Sequence, residues 1–154
     1  MDNACEHAKQ LQLAFRLGLI GTDQLIRWAD SMILSQDTPA IEIIDLALMR
    51  DAHPQTIVGK LGELAGAVDE WSVMPEVMRR YALALREKPE LGPKVAKGML
   101  RLYDESNCHV PKEFGFFAWF DEEFYLAREG IYGAEEHDVY EQLLAEFDKF
   151  ADPA

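Results

Sequence analysis

Phe114–Gly133 reads FGFFAWFDEEFYLAREGIYG. It holds eight of the sixteen aromatic residues of a 154-residue chain, together with the consecutive acids Asp121, Glu122 and Glu123. Aromatics at this density either bury heavily or form a sticky surface. Three adjacent carboxylates cannot all be buried, so part of the stretch faces water. Helical spacing predicts a helix from Phe116 or Ala118 to Glu129-Gly130. Phe116, Phe120 and Phe124 then share the inner face, as Phe117 and Phe124 do more loosely, and Trp119, Glu122 and Glu123 fall partly off it. Gly130 stands where a helix C-cap glycine is expected, and 130–133 reads as a turn.

Working outward, 134–150 predicts a further helix, with Val139, Tyr140, Leu143, Leu144, Phe147 and Phe150 as its apolar stripe. Glu135, Glu136 and Asp138 lie in its first turn, where the helix dipole favours acids. Upstream, the linker 106–111 separates the stretch from six more helical segments. The first covers 4–19, with Ala8, Leu11, Phe15 and Leu19 inward. The second follows a cap at Thr22, with Leu25, Ile26, Ala29, Met32 and Ile33 inward and Trp28 half-buried. Thr38-Pro39 opens the third, which runs to about Asp51 with Ile41, Ile44, Ala47 and Leu48 inward. The fourth runs from Pro54 to Val68, and Gly59, Gly62 and Gly66 on one face suggest close approach of a neighbouring backbone. A loop at 69–72 precedes the fifth, from Met74-Pro75 to Glu87. The sixth covers 94–105, with Val95, Met99, Leu102 and Tyr103 inward.

No segment alternates apolar and polar residues long enough for a strand. The expectation is an all-α chain, one compact domain over 1–154, with seven or eight antiparallel-packed amphipathic helices. Its C-terminal portion, from about 112, is acidic and aromatic-rich.

Charge follows the same division. Residues 1–103 carry 14 acids and 12 bases, whereas 104–154 carry 14 acids and only Lys112, Arg128 and Lys149. A net of −11 therefore sits in the last third of a chain whose total is −13. A field of that sign repels nucleic acid and anionic membranes and steers cationic partners. Cys5 and Cys108 make no disulfide framework. The N-terminus has no apolar h-region, and the longest apolar run, FFAWF, is far short of a span, so the cytosol is the expected compartment.

Catalytic chemistry finds little support. Cys5, His7, His53, Cys108, His109 and His137 match no metal-binding spacing, and no metal or cofactor is expected. No serine sits in a G-x-S-x-G elbow. The carboxylates of 121–141 could serve as acid and base, but most stand at helix starts, where the dipole explains them. The glycines of 59–66 match no phosphate-binding pattern.

What remains is the acidic aromatic surface. Trp119, Tyr132 and Tyr140 are candidate desolvated anchors, and Asp121, Glu122, Glu123, Glu129, Glu135, Glu136, Asp138 and Glu141 are candidate charge partners for a basic protein. In type (small, acidic, helical, without catalytic signature) the chain resembles bacterial immunity proteins, which inhibit a cognate toxin. That resemblance implies a non-catalytic binding module, and no family motif assigns residue roles. The alternative expectation is a helical scaffold or adaptor that receives a partner helix on the apolar faces of helices two to four, with Ile41 and Leu61 as test positions.

Overall fold

The computed structural model describes residues 3–106, 109–133 and 135–150, with the side chains of Asn3 and Tyr132 outside that description. Among the described residues there are eight α-helices and no strand, so the chain is all-α. The helices are α1 (Asn3–Arg16), α2 (Thr22–Ser35), α3 (Ile41–Ala47), α4 (Pro54–Ala65), α5 (Glu70–Glu87), α6 (Gly92–Glu105), α7 (Phe120–Arg128) and α8 (Glu136–Asp148). Three 3₁₀ segments, Pro89–Leu91, Lys112–Trp119 and Ile131–Gly133, join the last four. The chain divides into two compact units, one of residues 1–16 and 20–74 and the other of 17–19 and 75–154.

In the first unit α1 packs on α4, while α3 lies against both α2 and α4. Gln12 is its one buried polar side chain among the described residues, and its Nε2 donates to the Val58 carbonyl at 2.9 Å. Of the three glycines on α4's expected face, only Gly62 meets a neighbour: a Cβ there would stand 3.2 Å from Gln12 Nε2. Gly59 faces open space, and Gly66, with φ +63°, terminates the helix instead. The cap of α2 is Gly21 rather than Thr22, and the Gly21 N–H donates to Gln24 Oε1 at 2.8 Å.

The register of α3 differs from expectation. Ile43 and Leu46 are buried, whereas Ile41 is 68% exposed and Ile44 and Leu48 are also exposed. Both rows of this seven-residue helix are apolar, so periodicity alone cannot choose between them. Packing against α2 and α4 selects the 43/46 row.

Helix α5 starts earlier than its proline suggests. Asp69 Oδ2 accepts the Ser72 N–H at 3.1 Å, which caps the first turn. Pro75 then lies inside the helix. A proline in a helix interior costs about 3 kcal/mol. Burying Trp71, Val73 and Met74 returns about 1.5–3 kcal/mol for each full side chain, so packing wins.

The second unit is built around rings. Lys112–Trp119 is a 3₁₀ helix of eight residues, longer than the usual run of three or four. Three residues per turn stack positions i, i+3 and i+6, which here are Phe114, Phe117 and Phe120. All three are buried, and Phe124, one α-turn beyond Phe120, joins them. Phe114 stacks on Phe150 with centroids 5.4 Å apart, and Phe117 meets Phe147 edge-on at 6.1 Å. Phe116, expected inward, is 67% exposed, because the backbone here turns about every three residues rather than every 3.6. The 3₁₀ bonds are weak by geometry, so the buried rings hold the segment rather than its own ladder.

Two substitutions separate these periods. Phe117→Ala should cost about 3–5 kcal/mol in urea unfolding, as for other buried phenylalanines. Phe116→Ala should stay within about 0.5 kcal/mol of the parent. Equal losses at the two positions would reject the 3₁₀ register.

Candidate functional site

Turning Phe114, Phe117 and Phe120 inward leaves the rest of the stretch facing out. Trp119 is 47% exposed and Tyr125 is 52% exposed, and Phe116 and Ile131 lie on the surface with them. Along α7, Glu122, Tyr125 and Glu129 fall at i, i+3 and i+7, and all three are exposed. Asp121 and Glu123 are half-buried, flanking that row. The helix dipole stabilises an acid in the first turn by about 0.3–1 kcal/mol, which lets 121–123 hold three negative charges together.

Helix α7 packs against α8 and the turn Ile131–Gly133. Gly130 and Gly133 both have positive φ, which few side chains tolerate, and so reverse the chain between the two helices. The reversal brings a second acidic helix start, Glu135, Glu136 and Asp138, onto the same unit, all exposed.

Few of these charges are neutralised within the protein. Arg128 Nε lies 3.8 Å from Glu136, an exposed pair worth little. His137 Nε2 is 3.7 Å from Glu141, a pair only when the imidazole is protonated. Asp121, Glu122, Glu123, Glu129, Glu135 and Asp138 form no ion pair among the described residues.

Tyr140 has a different place from that of a surface anchor. It is buried, and its hydroxyl donates to the carbonyls of Leu85 at 2.9 Å and Arg86 at 3.2 Å. These carbonyls belong to the last turn of α5, where helix geometry leaves acceptors open. Arg86 reaches Asp148 through two contacts of 2.8 and 2.9 Å, a second tie between α5 and α8. Tyr140 is thus engaged inside the unit. The side chain of Tyr132 falls outside the described residues.

The exposure of Phe116 runs against the expected inner face, whereas that of Ile131 fits the turn expected at 130–133. A three-residue repeat of phenylalanine was visible at 114, 117 and 120 and would have identified Phe116 as an outward residue. Among the described residues no three His, Cys, Asp or Glu side chains gather as a metal site, and Cys108 lies outside them. No helix among them is long and apolar enough to cross a membrane. No protein-family model matches the chain, and no match is found among curated proteins or solved structures.

The Tyr140 tie makes a pH-dependent prediction. Burial, followed by the charge of Glu141, pushes its phenol above the ordinary value near 10. A phenol raised in the folded state stabilises the fold below the unfolded pKa, and this is lost as pH rises through the folded one. Tyr140→Phe should cost about 1 kcal/mol at neutral pH, from the lost hydrogen bonds. The gap to the parent should narrow above about pH 10, followed by urea midpoints. A gap that stays constant into that range would show that the hydroxyl is not held neutral by the fold.

Proposed function

We propose that the chain is a non-catalytic protein-binding module that neutralises a basic protein partner, in the manner of an immunity protein blocking a cognate toxin in the cytosol. The observation that carries this reading is the pairing of exposed rings with unneutralised carboxylates. Phe116, Trp119 and Tyr125 stand outside a core already filled by five other phenylalanines. Glu122 and Glu129 lie on the same α7 row as Tyr125, in a third of the chain with a net charge of −11.

The two components serve different steps. Carboxylates spread over α7 and the start of α8 attract a cationic surface from beyond contact range and speed encounter. Aromatic side chains supply the desolvated area that slows departure, as Trp and Tyr do at interface centres. A field of this sign also repels nucleic acid and anionic membrane surfaces, which leaves basic proteins as the favoured class. By exposure Trp119, Glu122, Glu129, Glu135, Glu136, Asp138 and Glu141 are kept, with the half-buried Asp121 and Glu123 beside them; Phe116 and Tyr125 join, and Tyr140 no longer serves as an exposed anchor.

A second reading has one observation in its favour. Ile41, Ile44 and Leu48 form an exposed apolar row on α3 in the other unit, as a scaffold receiving a partner helix would present. Leu61, by contrast, is wholly buried and belongs to the core.

Salt separates the two readings. A basic protein recovered from the native host at low salt should associate about tenfold more slowly at 0.5 M than at 0.05 M salt, because screening shortens to a few ångströms. Glu122→Lys with Glu123→Lys should slow association further while the helical circular dichroism is unchanged. Association that ignores salt, and is lost on Ile41→Asp instead, would replace the first reading with the second.

A further inference from the structure

A cleft of about 250 Å³ opens in the second unit between the start of α6 and the start of α8. Pro93, Phe124 and Tyr140 lie at its base, and Glu90, Glu136 and His137 lie at its edge. The base is buried or half-buried and the edge is exposed. Phe124 reaches the base because residue 92 is glycine: a Cβ there would stand 3.0 Å from the ring.

The volume lies below the roughly 300–1,000 Å³ of small-molecule pockets, so it suits one long side chain rather than a cofactor. An apolar base beneath exposed carboxylates is complementary to an aliphatic stem that carries a cationic head. Glu90 forms no ion pair among the described residues, and Glu136 has only the 3.8 Å contact with Arg128. The field at the cleft is negative as well: beyond burial, Glu141, Asp148 and Glu90 all raise the Tyr140 phenol, opposed by Arg86.

We infer that this cleft receives one arginine or lysine side chain of the basic partner, its stem on Pro93, Phe124 and Tyr140 and its head between Glu90 and Glu136. The inference rests on the proposed function and locates a specific anchor within it. It adds Glu90, which lies outside the acidic third of the chain, to the binding surface.

The test uses the full ¹⁵N-labelled chain at low salt and N-acetyl-arginine methylamide as the probe. Saturable amide shifts are expected at Phe124, His137 and Tyr140 and not at Asp121 or Glu122. The uncharged norleucine analogue should bind about tenfold more weakly, since it keeps the stem and loses the charge. Glu90→Gln with Glu136→Gln should weaken the arginine probe by a similar factor without altering the folded spectrum. Shifts spread evenly over all the acids, no shifts, or an unchanged affinity in the double variant would each overturn the inference. Salt-dependent partner association that survives Glu90→Gln with Glu136→Gln would reject the cleft and keep the wider reading. A cleft that binds the probe in a chain whose partner association ignores salt would do the opposite.

Discussion

Phe114, Phe117 and Phe120 point the same way because the backbone from Lys112 to Trp119 turns once every three residues. The rest of the second unit depends on that choice. Three rings brought onto one side can meet Phe147 and Phe150, which bring in the C-terminal end of α8 and the turn after it. Continuation as an α-helix from Phe120 adds Phe124, whose ring rests where Gly92 opens α6. An α-period throughout would have turned Phe116 inward beside Phe120 and Phe124. Each buried phenylalanine contributes about 1.5–3 kcal/mol, and edge or stacked ring pairs add about 0.5–1.5 kcal/mol, which exceeds the weakness of a long 3₁₀ ladder.

The same constraint creates the surface. Every ring drawn inward fixes its neighbours outward, so Phe116 and Trp119 are exposed as a consequence of burying 114, 117 and 120. The acids of 121–123 follow immediately because they occupy the first turn of α7, where the dipole tolerates them. Anchor and candidate interface are therefore two sides of one segment. Tyr140 and Arg86 hold α8 to the last turn of α5 and keep the second acidic helix start in place.

The fold class was legible because six of the helices announce themselves by three-four spacing and by caps. What escaped the sequence has identifiable physical causes. In α3 two rows are equally apolar, so only packing decides that Ile43 rather than Ile41 goes in. At α5 a proline reads as a start, but burial of Trp71 and Met74 outweighs its cost and the helix begins at Glu70. In the aromatic stretch two periods compete, and Phe120 belongs to both. Of the candidate site, the acids and Trp119 were visible from charge and spacing. Tyr140 could not be placed, because whether a tyrosine hydroxyl faces water or an open carbonyl depends on a helix 54 residues away in sequence, as the Tyr140–Arg86 contact shows.

The most direct measurement places a fluorine label on the phenylalanine ring at 116 or at 117 and follows ¹⁹F relaxation with a soluble paramagnetic agent. A three-residue turn predicts strong broadening of the label at 116 and little at 117. Equal broadening at both, or protection at 116 with broadening at 117, would contradict the account.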